Sequence, residues 1–329
     1  MLKKTLCFEN PGYIFVKDNQ LVFQRKGSSL MSQELEEGES KSQQRYRLRL
    51  EELLGRNCVP IADIGFVVLE SRDLVVSAYA LDALAQNNVA VITCDRKMMP
   101  SAMLQPLEGH TLSHRNTIAQ LGATKTKCDQ LWKQTVVAKI RNQAECLSRH
   151  GREESERLLQ LSKFITGGDP ENREGQAAMI YFKAWELTRT TSHDTEGPDL
   201  TNSALNYGYA ILRAAMARAL VGSGLLCIRG IHHHSQYDAF ALADDLMEPY
   251  RPFVDSLVFG NFFAEKSESG DGKKSFSREH KIEILKLLAS DVIIDGLRRP
   301  LSIAMTMTSS SLATCFLEKE KRISFPTFD

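Results

Sequence analysis

In the first third of the chain, apolar and polar residues mostly alternate, which is the period of β-strands. Three short alternating segments come first, and Asp18-Asn19 between the second and third is typical of a hairpin turn. The pattern then predicts a strand, a helix and a buried strand, over 59–70, 75–86 and 89–94. We therefore predict a small N-terminal β domain with one helix, over residues 1–99.

Beyond His110 nearly every apolar pattern has the helical period of about 3.6 residues. The break at 167–170 predicts a helix start, with Asp169 as N-cap and Pro170 at the first helical position. Helices are predicted over 131–143, 171–189, 200–222, 238–258 and 278–290. This part of the chain, 113–329, is predicted to be a larger all-α domain, so the fold class is α+β.

Three segments are predicted to be loops or connectors because they lack either period. Pro100, Pro106 and Gly109 indicate a linker over 100–112. The polar and acidic segment 27–44 fits an exposed or mobile loop, and the Ser/Gly/Lys-rich segment 266–277 is another loop.

Composition excludes several classes of protein. Hydrophobic residues make up 43% of the chain and charged residues 25%, with 41 basic and 41 acidic side chains, so wholesale disorder, collagen and a membrane bundle are excluded. The most apolar stretch, 209–228, is interrupted by Arg213 and Arg218 and fits a buried helix better than a membrane span. No secretory signal is visible, so we expect a cytoplasmic protein. The seven cysteines are scattered without a C-x-x-C pair, which indicates reduced thiols.

Basic residues are concentrated between residues 115 and 152, where eight of them face only two acids, Asp129 and Glu145. Such an excess can bind phosphates, or it can be an ordinary solvated helix surface. The sequence alone leaves both interpretations open.

Three short segments combine ionisable groups with small residues: 173–178, 230–234 and 242–252. Asp245 and Glu248 are three positions apart and so share one helical face. Two carboxylates and an imidazole suit a divalent cation. Taken singly, each segment also has a structural explanation, such as an acid near a helix N-terminus, a solvated face or a histidine-containing loop.

Together, the order of these segments resembles the CRISPR-associated integrase of spacer acquisition, the Cas1 family. The resemblance covers most of residues 1–260. In the helical part it rests on Arg173-Glu174-Gly175, Gly230-Ile231-His232-His233 and the segment Ala243–Pro252. In the β domain it rests on Pro60–Gly65, Leu69-Glu70-Ser71 and Val89–Asp95. The segment Leu131–Gln143 most resembles members from loci with a single-protein effector of the Cas9 type.

The resemblance implies three metal ligands, Glu174, His233 and Glu248, for Mg²⁺ or Mn²⁺, with Asp245 in a supporting catalytic role. The third ligand is Asp in many relatives, and Glu keeps the ligand chemistry intact. The neighbouring His232 and His234 leave the choice of histidine open by one position. DNA phosphates are expected to contact Lys125, Lys127, Lys133, Lys139, Arg141 and Arg251.

The resemblance further implies an enzyme of antiviral CRISPR adaptation. A homodimer is expected to capture a short DNA duplex and to join its 3′ hydroxyls to the CRISPR repeat by transesterification. The expected partners are double-stranded DNA, as spacer precursor and as repeat, the small Cas2 protein and other adaptation or effector proteins. Two alternatives remain at this point: a metal-dependent nuclease that acts by hydrolysis, and a non-catalytic DNA-binding scaffold.

Overall fold

The structure is a computed structural model that describes residues 4–25, 58–106, 109–187, 200–262, 276–318 and 321–329. The predicted loop over 27–44, and all of the loop over 266–277 except its last two residues, lie outside the described residues. The chain divides into two compact units, Met1–Pro106 and Leu107–Asp329. Within the described part, none of the helices combines the length and the apolar character that a membrane span requires.

The described residues of the first unit form two four-stranded sheets and an α-helix. Its elements are β1 (Lys4–Phe8), β2 (Gly12–Lys17), β3 (Gln20–Arg25), β4 (Cys58–Pro60), β5 (Ile64–Leu69), β6 (Leu74–Val76), α1 (Ala78–Gln86), β7 (Ala90–Cys94) and β8 (Pro100–Leu104). One sheet has the order β1-β5-β7-β8, in which only β8 runs antiparallel to its neighbour. The other has the order β4-β3-β2-β6, in which β6 is parallel to β2.

The β2–β3 hairpin confirms the predicted turn. Asp18 and Asn19 have φ angles of 48° and 59°, the left-handed conformation that a tight two-residue hairpin turn needs and that Asp and Asn tolerate. The alternating pattern of β2 buries Ile14, which packs with Val67 of β5 and Leu84 of α1 in the core of this unit. Hydrophobic alternation therefore sets both the strands and the face that each one buries.

The segment predicted as a linker begins with a strand. Residues Pro100–Leu104 form β8, which pairs with β7, and the boundary between the two units follows Pro106. The prolines did not exclude a strand here. A proline at the first residue of an edge strand does not remove a hydrogen bond that the sheet needs.

The second unit is mostly helical, as predicted from its period. Among the described residues, its α-helices are α2 (Ser113–Leu121), α3 (Lys125–Arg149), α4 (Ser155–Ser162), α5 (Arg173–Ala184), α6 (Leu200–Val221), α7 (Ala241–Met247), α8 (Arg251–Leu257), α9 (Arg278–Lys286) and α10 (Leu301–Leu317). The long α3 packs against α4, α5 and α8. The apolar α6 is buried along most of its length, although Arg213 and Arg218 interrupt its apolar pattern.

The prediction that this unit is all-α is wrong in one place. Strands β9 (Asp291–Ile294) and β10 (Leu297–Pro300) form an antiparallel hairpin, with Val292 and Ile294 buried. Between them, Asp295 and Gly296 have φ angles of 49° and 73°. Asp-Gly is a strong signal for such a turn, but only a short β segment accompanies it, and the helical periods on both sides dominate the pattern.

Candidate active site

The structure brings Glu174 and Glu248 together around one ammonium group. Glu174 lies in the first turn of α5, and Glu248 begins the 3-10 turn Glu248–Tyr250 that joins α7 to α8. Lys139, on α3, forms ion pairs with both: its Nζ contacts Glu174 Oε1 and lies 2.5 Å from Glu248 Oε2. The side chains of Lys139 and Glu248 are 8% and 9% exposed, whereas that of Glu174 is 29% exposed. Two segments far apart in the sequence therefore meet at a buried cation.

Glu248 is ionised at neutral pH because of its two cationic neighbours. Burial opposes its ionisation, but Arg251 and then Lys139 outweigh burial and lower the pKa of Glu248 to about 2. Arg251 Nε lies 3.0 Å from Glu248 Oε1. Yet neither the buried Oε2 nor Arg251 Nε has a well-directed hydrogen bond. The carboxylate is thus held by charge, and Oε2 keeps lone-pair capacity for another ligand.

Lys139 is protonated for the complementary reason. Burial works to lower its pKa, but Glu248 and Glu174 outweigh it, so that the pKa of Lys139 is raised. A lone buried ammonium would be costly, and the two carboxylates compensate for that cost.

Glu174 owes its position to the turn that precedes α5. The predicted N-cap, Asp169, lies three residues too early, because Asn172 is the N-cap and accepts from Gly175 N at 3.2 Å. Asp169 nevertheless binds the helix start, since its carboxylate accepts from the backbone N–H of Arg173 and Glu174 at 3.0 and 2.9 Å. An acid at this end of the helix also interacts favourably with the helix dipole.

Asp245 organises the histidine loop. Its carboxylate, fully buried on α7, accepts from the backbone N–H of Ile231, His232 and His233 at 2.6, 2.9 and 3.2 Å. Gly230 permits this approach, because a Cβ there would lie 2.4 Å from His233 O and 2.8 Å from Asp245 Oδ2. One carboxylate thereby fixes the backbone of the loop that carries three histidines.

The two adjacent histidines have different environments. The His232 ring stacks on Trp132 of α3, with ring centroids 4.1 Å apart and planes at 2°. His233 approaches the same indole edge-on at 5.8 Å, and its Nδ1 lies 2.6 Å from Asp245 Oδ1. The hydrogen bond to Asp245 is the main cause of a raised pKa at His233, whereas burial lowers the pKa of His232. His233 is therefore oriented by a carboxylate, as metal-ligating histidines commonly are.

The three expected metal ligands form a set whose chemistry fits a divalent cation. Two carboxylates and one imidazole are the donors that Mg²⁺ and Mn²⁺ accept, and the buried Glu248 Oε2 lacks a directed hydrogen bond. Charge interactions link His233 to Glu248 and His232 to Glu174. Within the described ranges, the one set of three candidate ligand atoms all within 4.8 Å of each other is Cys7, Glu9 and Glu70 in the first unit. In the helical unit, Lys139 lies between the two acidic groups.

The basic residues predicted to contact DNA divide into two groups. Lys125, Lys133 and Arg141 are exposed on α3, and Lys127 is half-buried, with Nζ 3.3 Å from Glu318 O. Lys139 lies inside the acidic cluster, and Arg251 is half-buried with its guanidinium 4.5 Å from the centre of the Tyr209 ring. The exposed group remains a predicted phosphate-binding surface.

Lys139 was predicted to contact DNA phosphates, and its ion pairs with Glu174 and Glu248 were not predicted. A signal was present, because Lys139 shares a helical stripe with the apolar Trp132, Val136 and Ile140, where a cation needs a buried partner. Asp255, on α8, is also buried. Its oxygens accept from the hydroxyls of Tyr181 and Tyr209 at 3.0 and 2.5 Å, which ties α8 to α5 and α6.

The chain is similar in sequence to one known protein family. The family model described as CRISPR associated protein Cas1 matches residues 8–280. The CRISPR-associated endonuclease Cas1 of Neisseria meningitidis serogroup C (strain 8013) is 33% identical over 262 residues, which cover 79% of this chain and 84% of that protein.

Two solved structures share the fold. A casposase bound to its integration product has a TM-score of 0.74 at 20% identity, over 98% of this chain and 93% of that chain. A Cas6-RT-Cas1–Cas2 complex has a TM-score of 0.64 at 16% identity, over 98% of this chain and 36% of that chain.

Proposed function

Because this chain belongs to the Cas1 family of CRISPR-associated proteins, we propose that the cluster around Lys139 is the active site of a DNA integrase. The protein is an endonuclease and integrase of CRISPR adaptation. The reaction is the joining of the 3′ hydroxyls of a short DNA duplex to the ends of a CRISPR repeat by transesterification. One observation carries the proposal: Glu174 and Glu248 converge on Lys139, and His233, whose ring is oriented by a buried carboxylate, interacts electrostatically with Glu248.

Glu174, His233 and Glu248 are the proposed ligands of Mg²⁺ or Mn²⁺. When bound, such a cation neutralises charge on the scissile phosphate and activates the attacking oxygen. Asp245 positions His233 and does not itself bind the ion, because its two oxygens are already engaged by three backbone N–H groups and one imidazole.

The exposed basic side chains of α3 supply the proposed DNA-binding surface. Lys125, Lys133 and Arg141 are exposed on the helix that carries Lys139. Phosphate contacts of this kind give affinity that is independent of sequence and falls with salt. They also bring the DNA backbone close to the acidic cluster.

The proposed partners follow from the relatives. A casposase is known with its integration product, and a Cas1 chain is known in a complex with Cas2. These relatives support DNA as the substrate and a Cas2 protein as a partner of this protein. We propose double-stranded DNA and a homodimeric functional unit from the family resemblance alone.

A strand-joining assay tests the function. The purified protein and its Cas2 partner are incubated with Mn²⁺, a supercoiled plasmid that carries a CRISPR repeat, and a labelled duplex with 3′ hydroxyl or 3′ dideoxy ends. We expect label to become covalently attached to the plasmid with the hydroxyl duplex alone. Glu174→Gln should abolish this, whereas Glu171→Gln, at an exposed acid ion-paired with Arg173 in the same turn, should not.

Other outcomes would separate the alternatives. Plasmid cutting without attachment of the label would indicate a hydrolytic nuclease. Unchanged joining by Glu174→Gln would show that this cluster is not the catalytic site, and DNA binding without any joining would favour a scaffold.

A further inference from the structure

The ammonium of Lys139 occupies the position of a counter-cation between the two acidic ligands. Its Nζ is ion-paired with Glu174 Oε1 and Glu248 Oε2, and the latter oxygen is also a proposed metal ligand. With Arg251 on the other oxygen of Glu248, two cations already balance two carboxylates. The cluster is therefore close to electrically neutral without a metal.

A divalent cation entering this cluster would need the same oxygens. Adding two positive charges to a neutral, mostly buried group is unfavourable unless a cation leaves or an anion arrives, because the low local dielectric strengthens repulsion. A DNA phosphate is the anion that this enzyme brings to the site. It can balance the added charge and accept a hydrogen bond from a displaced ammonium.

We propose that Lys139 competes with the divalent cation for Glu174 and Glu248, so that the cation binds weakly to the free protein and more tightly once DNA is present. This rests on the proposed function for the identity of the ligands. It makes Lys139 a positioning residue that acts through the two carboxylates. Its consequence is that the metal site is complete only when DNA is bound, so that cation binding and DNA binding strengthen each other.

Mn²⁺ binding measured by electron paramagnetic resonance tests the proposal without relying on catalysis. The full chain is titrated with Mn²⁺ alone, with and without a short DNA duplex that ends in 3′ hydroxyls. Lys139→Met removes the charge and keeps most of the side-chain volume, and Lys139→Arg keeps the charge. Lys163→Met is the control, because Lys163 is exposed just after α4 and lies in neither the acidic cluster nor the proposed DNA-binding surface.

Without DNA, Lys139→Met should bind Mn²⁺ about tenfold more tightly than the unaltered protein. This is the scale expected when a positive charge next to two carboxylates is removed. Lys139→Arg and Lys163→Met should stay close to the unaltered protein. DNA should tighten Mn²⁺ binding to the unaltered protein and have a smaller effect on Lys139→Met. Equal Mn²⁺ affinity of Lys139→Met and the unaltered protein would overturn the inference.

Two further measurements keep the result interpretable. If Lys139→Met unfolds without metal and Mn²⁺ restores its near-ultraviolet circular dichroism, the inference is supported, because the ion replaces the lost ammonium. Failure to fold even with Mn²⁺ would count against it. The double variant Glu174→Gln/Glu248→Gln should lose Mn²⁺ binding. If it retains binding, the ligand assignment of the proposed function fails, whereas loss of binding there with no effect of Lys139→Met contradicts only the competition.

Discussion

His233 Nδ1 lies 2.6 Å from Oδ1 of the buried Asp245 carboxylate. An ionised carboxylate can only accept a hydrogen bond, so Nδ1 carries the ring proton and Nε2 is the nitrogen with a lone pair in the neutral ring. The neighbouring His232 is instead stacked face to face on Trp132. This difference favours His233 as the metal ligand.

Alanine substitutions at the two histidines should therefore have unequal effects. His233→Ala should abolish strand joining with little change in the unfolding temperature. His232→Ala should lower joining only modestly and lose about 1 kcal/mol of ring packing against Trp132. The joining assay and thermal unfolding measure both effects. Full loss at His232 with activity kept at His233 would mean that His232 is the ligand.

Asp245→Asn should shift the titration of His233. Asp245 raises the pKa of His233 above 6.5, and a ligand must be neutral, so metal binding should fall as pH drops through that raised value. In Asp245→Asn, the pKa of His233 and the acidic limb of joining should both move to lower pH. The histidine signals in nuclear magnetic resonance report the first and the pH profile reports the second.

The same contact affects stability with the opposite pH dependence. A raised folded-state pKa stabilises the fold below the unfolded value of 6.5, and the contribution is lost as pH rises through the folded value. Asp245→Asn should also lower the free energy of unfolding by about 1 to 3 kcal/mol. The Asn side chain has only one acceptor oxygen for the three backbone N–H groups of the loop. An unchanged pKa and an unchanged stability would contradict the organising role of Asp245.

Glu248 should control the acid sensitivity of the helical unit. Its pKa is lowered from 4.5 to about 2, so its contribution is present above 4.5 and disappears as pH falls towards 2. Between pH 4.5 and 2, the free energy of unfolding should fall by about 3 kcal/mol more in the unaltered protein than in Glu248→Gln, at about 1.4 kcal/mol per pKa unit. Urea unfolding at several pH values measures this. If the free energies of unfolding of the two proteins change equally with pH, Arg251 and Lys139 do not stabilise the ionised form of Glu248.

The exposed basic residues of α3 should set the salt dependence of DNA binding. Removing Lys133 or Arg141 should weaken binding to any sequence and reduce the slope of log affinity against log salt by about 1 each. Fluorescence anisotropy with a labelled duplex at several salt concentrations measures the slope. Exchange of Lys4, an exposed basic residue of the other unit, provides a comparison. Slopes unchanged by the substitutions at Lys133 and Arg141 would place the DNA elsewhere.

Gly208 allows α6 and α8 to approach closely. A Cβ at this position would lie 2.4 Å from Val254 Cγ1, well inside contact distance. Gly208→Ala should therefore destabilise the protein by about 1 to 3 kcal/mol through overpacking, although alanine favours helices. Chemical unfolding tests this, and Gly208→Ala combined with Val254→Ala should recover part of the loss. A stabilised single variant would show that the two helices can separate at no cost.

The elements with a strong period were predictable from sequence, and those defined by turn geometry were less so. The β2–β3 hairpin and the helices α5 and α6 follow from alternation, turn residues and helical spacing. The β9–β10 hairpin was missed because its strands are only four residues long, although Asp295-Gly296 marked the turn. The start of α5 was misplaced because Asp169 and Asn172 both bind its free N–H groups.

The candidate site was predictable only as a list of residue types. The spacing of Asp245 and Glu248 places them on neighbouring turns, but their roles differ: one binds a loop backbone and the other binds cations. Local sequence cannot show that Lys139, far along the chain from both acids, lies between Glu174 and Glu248, because this follows from how α3 packs. Which surface of α3 faces DNA is likewise a question of packing and partners.

Residues near position 326 contact the helices beside the proposed active site. The side-chain amide of Asn142, one turn beyond Lys139 on α3, donates to the carbonyls of Pro249 and Pro326 at 2.8 and 2.9 Å. Phe328 stacks on Phe253 with ring centroids 4.2 Å apart. Trimming the chain before Pro326 would therefore leave the amide short of an acceptor beside the turn that begins with Glu248. We therefore expect the last four residues to tighten the turn that carries Glu248, so that a shortened protein joins DNA strands more slowly than the full chain in the strand-joining assay.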